Sequence, residues 1–205
     1  MASQSKRPYL VPAFVTGWLL ALGQLGYRLA RQQLGANPIA TALNQLGLLA
    51  LVLLVATLTC TPLRLALGWT WPLRVRRTLG LLSFFTALLH FALYLGADQG
   101  FELGAVLADI IKRPFILVGF LALVLLVPLA WTSSKQAVSR LTFPVWQQLH
   151  RLVYPIALLA TLHFYLRVKA DHTQPLVYLA VILAGFAMRL VAWRTKQRSR
   201  HPRTA

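Results

Sequence analysis

Six apolar stretches, each close to the roughly 20 residues that an α-helix needs to cross a bilayer, run through this chain between short basic links. No other feature limits its folding so strongly. A soluble domain of 205 residues has no interior large enough for a composition 58% hydrophobic and 12% charged, with a mean hydropathy of +0.63. Lipid must therefore serve as solvent for much of the surface. In lipid only helices and closed barrels satisfy every backbone group, and the alternating pattern that barrel strands require is absent. The expected fold class is all-α: a polytopic membrane protein made of a six-transmembrane-helix bundle.

The spans are expected at Tyr9 to Ala30, Leu43 to Leu63, Thr78 to Gly96, Pro114 to Trp131, Leu149 to Val168 and Pro175 to Trp193. Pro62 is read as closing the second, and Pro114 as opening the fourth, where a missing N–H costs nothing. The first is too long for a signal-peptide core and is read as retained. Residues 1–8 form an N-terminal extension, 9–193 one membrane domain and 194–205 a basic tail. No internal repeat stands out.

Charge placement orients the bundle. One side collects Lys6, Arg7, Arg64, Arg74, Arg76, Arg77, Lys135, Arg140, Arg151, Arg189, Arg194, Lys196, Arg198, Arg200 and Arg203, fifteen of the 21 basic residues. The other holds Arg28, Arg31, Lys112, Arg113, Arg167 and Lys169, with all four acids, Asp98, Glu102, Asp109 and Asp171. The positive-inside rule makes the first side cytoplasmic, with both termini there. The net charge of +17 is explained by topology and anionic membrane lipid, so no nucleic-acid partner is implied.

Against this apolar background the informative residues are histidines. His90 lies within TALLHFALYL and His163 within YPIALLATLHFYL, while His150 stands thirteen positions before His163. Imidazole in hydrocarbon needs partners for both ring nitrogens. A backbone carbonyl or hydroxyl can supply them, and so can a metal. At 1.5 Å per residue His90 and His163 reach similar depths in the outward half, roughly 20 Å from the cytoplasmic ends of their helices. They are candidates for the two axial ligands of one haem iron. His150 sits at the cytoplasmic end, where the matching positions are Arg76 and Arg77. It is a possible ligand of a second haem or a contact for a quinone or flavin, and Arg76, Arg77 and Arg151 are candidates for a flavin phosphate or haem propionate. Lys112, Arg113 and Arg167 offer the same choice outside. His172 and His201 are read as solvated.

Zinc fits poorly, because Cys60 is the lone cysteine and the spans carry no acid. The missing intramembrane acid also counts against proton-coupled transport. No nucleophile elbow, phosphate loop or dinucleotide fingerprint occurs. Three readings stay open: an electron-transfer subunit, a stand-alone b-type cytochrome acting as a ferric or quinone reductase, and a non-redox transporter or scaffold.

The segments LGANP (34–38), TPLR (61–64), RRTLGL (76–81) with His90 and Tyr94, DIIKRPFILVG (109–119), AWTSS (130–134) and WQQLHRLVY (146–154) followed by His163 resemble the MsrQ (YedZ) family. The resemblance covers about residues 10–195. It implies a ferric-reductase-like bundle carrying haem b, an association with FMN, and His90, His150 and His163 as the implicated histidines. It further implies a bacterial inner-membrane subunit that does not itself reduce the sulfoxide. Electrons would come from the quinone pool or a cytoplasmic flavin reductase. They would pass to a periplasmic molybdenum-containing methionine sulfoxide reductase, its partner in a heterodimer, in the service of protein repair. The loop from Asp98 to Arg113 is the expected docking surface. The segment LNQLG (43–47) departs from the pattern, with Leu46 and Leu48 where relatives carry a Thr-Gly pair and a basic residue.

Overall fold

The computed structural model describes residues 8–200. Lys6, Arg7, His201 and Arg203, with the outer parts of both termini, lie outside the described residues. Among the described residues, nine α-helices follow in order: α1 (Leu10–Ala30), α2 (Pro38–Leu67), α3 (Trp71–Leu93), α4 (Leu103–Lys112), α5 (Pro114–Trp131), α6 (Lys135–Leu141), α7 (Phe143–His150), α8 (Val153–Arg167) and α9 (Thr173–Arg200). One π-helical turn, Tyr94–Asp98, extends α3. Among the described residues, six segments are long and apolar enough to cross a membrane: Leu10–Ala30, Pro38–Leu67, Trp71–Asp98, Pro114–Trp131, Phe143–Arg167 and Thr173–Gln197. The chain is a multi-pass membrane protein.

α2 is the axis of the bundle and packs against α3, α8 and α9. Its start is set by Asn37, whose side chain accepts the Ala40 N–H at 3.0 Å, and by Pro38 in the first turn. Its end is set by Gly68, left-handed at φ 69°. The helix therefore begins before Leu43 and runs past Leu63, straight through Pro62. That proline has no N–H for the Leu58 carbonyl. The Arg189 guanidinium on α9 donates to this carbonyl at 2.6 Å, and also to the Tyr154 hydroxyl on α8 at 2.7 Å. A neighbouring helix thus satisfies the group that proline frees. Arg189 is not a loop charge; it is half-buried and ties three helices together.

Leu51, Leu54, Val55 and Leu58 of α2 meet Leu126 and Leu129 of α5, Ile156 and Ala157 of α8 and Ile182 of α9 in the main core. α1 buries none of its residues. It rests on α3 and is fastened by the Trp18 indole, which donates to the Thr86 hydroxyl at 2.8 Å.

The fifth span is broken. α7 ends at His150 and α8 starts at Val153, with a tight turn in which the Tyr154 N–H donates to the Arg151 carbonyl at 3.0 Å. Pro155 cannot serve that carbonyl, which lies four residues before it. His150 and His163 accordingly stand on different helices. α4 and α6 lie in the links between spans. On α4, Val106 and Asp109 are buried, whereas Leu103, Leu107 and Ile111 form an exposed stripe.

A cavity between two histidines

α2, α3, α5 and α8 enclose a cavity of about 640 Å³. Its walls are mainly apolar, including Leu51, Leu54, Leu123 and Leu126, and its mouth opens at the acid-bearing end among Asp98, Arg113, Arg167 and Asp171. His90 and His163 face each other across it, with ring centroids 6.3 Å apart and ring planes at 85°.

The two rings are held in the same manner. His90 Nδ1 bonds the Leu43 carbonyl on α2 at 2.9 Å, and His163 Nδ1 bonds the Phe115 carbonyl on α5 at 2.6 Å. A carbonyl only accepts, so each Nδ1 donates and each Nε2 keeps its lone pair. Four residues beyond each carbonyl stands a glycine. A Cβ on Gly47 would lie 3.3 Å from His90 Cε1, and one on Gly119 would lie 2.6 Å from His163 Nδ1. The glycines let each imidazole lie against the neighbouring helix backbone. Carbonyl and histidine are 47 residues apart in the first pair and 48 in the second. The chain thus contains a two-fold local repeat that its apolar background hides.

This geometry can be tested against a metal. A bond from metal to imidazole nitrogen is about 2.0–2.1 Å, and a ring nitrogen lies about 1.15 Å from the centre of a five-membered ring with bonds near 1.35 Å. Two imidazoles on opposite sides of one metal atom therefore have centroids about 6.3–6.5 Å apart. The observed separation is 6.3 Å. Among the described residues no cluster of three or more His, Cys, Asp or Glu exists. The remaining ligands would come from the bound group itself, and a planar macrocycle in an apolar slot meets that requirement. A backbone carbonyl bonded to the other ring nitrogen is the kind of partner that metal-ligating histidines ordinarily use.

His150 is placed differently. Its ring packs on Trp146 with centroids 4.1 Å apart, and its Nε2 lies 3.1 Å from the Thr132 hydroxyl. That hydroxyl already donates to the Pro128 carbonyl at 2.6 Å, so Nε2 is the donor to it. This is the opposite tautomer from the other two, and His150 does not line the cavity. Arg76 lies within electrostatic reach of His150 and Arg189. Arg77 and Arg151 are exposed, and none of these three arginines borders the cavity. Arg113 and Arg167 do. His172 packs on Tyr165, with ring centroids 4.5 Å apart.

At the mouth, the buried Asp109 carboxylate accepts the Tyr94 hydroxyl at 3.0 Å and Arg113 Nε at 2.5 Å. Hydrogen bonds from the Thr173 hydroxyl and N–H hold the exposed Asp171 carboxyl below the usual carboxylate range. Sequence reasoning missed Gly47, Gly119 and the hydrogen bonds by which Asp109 joins Tyr94 to Arg113. LNQLG, the segment that departs from the family pattern, supplies both Leu43 and Gly47.

Residues 41–161 match the family described as ferric reductase like transmembrane component. The chain's relatives include proteins named protein-methionine-sulfoxide reductase heme-binding subunit MsrQ. That of Rhodospirillum rubrum is 49% identical over 88% of this chain and 87% of its own length. That of Deinococcus radiodurans is 48% identical over 89% and 90%, and that of Herminiimonas arsenicoxydans 44% over 89% and 84%.

Proposed function

This chain belongs to the ferric reductase like transmembrane components and, among them, to the MsrQ haem-binding subunits, and from that premise we propose that it is the membrane electron-transfer subunit of a methionine sulfoxide reductase system. The carrying observation is the pair of facing imidazoles, 6.3 Å between centroids, each with Nδ1 committed to a carbonyl. His90 and His163 would hold one haem b through their Nε2 atoms. Such a group supplies one-electron chemistry, whose potential the protein tunes through ligands, burial and hydrogen bonding.

The chain's own residues do the rest. The Leu43 and Phe115 carbonyls fix tautomer and ring orientation, and Gly47 and Gly119 admit the rings. Leu51, Leu54, Leu123 and Leu126 keep water from the inner part of the cavity. The mouth lies at the end that charge placement makes periplasmic. In this reading a periplasmic molybdenum-containing catalytic subunit docks beside α4 and accepts electrons there. The quinone pool or a flavin reductase supplies them at the cytoplasmic end of a bacterial inner membrane. Arg76, within electrostatic reach of His150, together with Arg77 and Arg151, belongs to that entry side, where FMN would bind through its phosphate.

The test is haem content and absorption spectrum of the purified full chain. His90→Ala and His163→Ala should each abolish the spectrum of the six-coordinate haem, while His150→Ala retains it. Full haem content in either of the first two variants would overturn the ligand assignment.

A further inference from the structure

Resting on the haem reading, we propose that the cavity mouth is a carboxylate clamp. Arg113 and Arg167 receive the two carboxylates of the macrocycle, and Asp109 and Tyr94 act as positioning residues for Arg113.

The cavity is lined by leucines at its inner part and by charged and polar side chains where four spans end. A planar group with one anionic edge has a single favourable orientation in such a slot. The apolar body goes inward and the charged edge stays at the mouth, since a carboxylate carried into the leucine-lined interior would lose its water without a partner. Two guanidiniums stand at that mouth. Arg167 follows His163 by one helical turn on α8, which puts it on the same face and closer to the opening. It is half-buried, and among the described residues it has no hydrogen-bond or ion-pair partner.

Arg113 comes from the opposite side, at the junction of α4 and α5. Asp109 engages its Nε and Nη2, both at 2.5 Å from one carboxylate oxygen. A guanidinium has five N–H donors, so the edge turned away from Asp109 remains available. Asp109 is itself held by the Tyr94 hydroxyl, and Tyr94 lies one turn beyond His90. Each side of the cavity therefore carries an imidazole with the means of fixing an arginine near it. Asp98 and Asp171 also border the mouth, but both have local donors. Asp98 takes the Gln99 amide at 2.9 Å and Asp171 the Thr173 N–H at 2.9 Å.

The test compares haemin with haemin dimethyl ester, which keeps the iron and the ring but lacks the charges. The full chain, expressed under haem limitation, is titrated with each and followed at the Soret band. The unaltered protein should bind haemin about tenfold or more tightly than the ester, the scale of a charge-assisted hydrogen bond. Arg113→Gln and Arg167→Gln should each weaken haemin about tenfold with the bound spectrum unchanged, and the double variant should no longer distinguish the two ligands. Arg28→Gln, on α1 away from the cavity, should behave as the parent. A holoprotein assay adds a second readout, because haem should pass to apomyoglobin faster from the arginine variants. Equal affinity of the parent chain for haemin and ester would overturn the clamp alone. Failure to bind either would overturn the haem reading and the clamp with it.

Discussion

At the scale of single residues the site depends on what is absent from two positions. Gly119 and Gly47 carry no side chain where an imidazole lies against the helix, and the clearances are unequal: 2.6 Å from a Cβ to His163 Nδ1, against 3.3 Å to His90 Cε1. A methyl at the first position displaces the ring from the Phe115 carbonyl, while at the second a shift of a few tenths of an ångström suffices. Gly119→Ala should therefore lose most bound haem with helical content unchanged, and Gly47→Ala should lose less. Haem per chain and far-ultraviolet circular dichroism check this, and a reversed order would refute it. The histidines were legible in the sequence because an imidazole is anomalous in an apolar run. The glycines were not, because glycine is common in membrane helices and nothing local reveals which one faces a ring. Arg189 was misread for a related reason, since an arginine near a helix end looks topogenic until its carbonyl partner on another helix is seen.

At the scale of elements, the same arginine explains why α2 outlasts its proline. Proline frees the carbonyl four residues earlier, and a sequence read alone gives that carbonyl no donor, so Pro62 looked like a terminus. Arg189 provides the donor from α9. Arg189→Met should lower stability by about 1–3 kcal/mol, the cost of leaving a buried acceptor unpaired. Pro62→Ala in that background should recover part of the loss by restoring the helix's own N–H. The coupling is read from a double-mutant cycle of unfolding midpoints, and strict additivity would contradict it. Pro155 shows the converse, since no side chain replaces its missing donor and the span breaks into α7 and α8. The six spans were legible from hydropathy. The break, the π turn and α4 depend on contacts between helices that hydropathy does not encode.

For the whole molecule, the bundle has two chemically distinct ends. All four acids and the cavity mouth lie at one, and the basic link around α6 at the other. If the basic end is cytoplasmic, then in a Cys60→Ala background an impermeant thiol reagent added to intact cells should label Gln99→Cys and leave Gln136→Cys unmodified. The reverse pattern would invert the topology. The two-fold repeat of carbonyl, glycine and histidine divides the site between α2 with α3 and α5 with α8, and these halves leave the ribosome at different times. His90 and His163 are separated by enough chain that, at roughly 5–20 residues per second, the first histidine waits on the order of several seconds for the second. On the haem reading, the socket would be complete only once both halves are in place, so a chain arrested before its fifth span would offer half a socket.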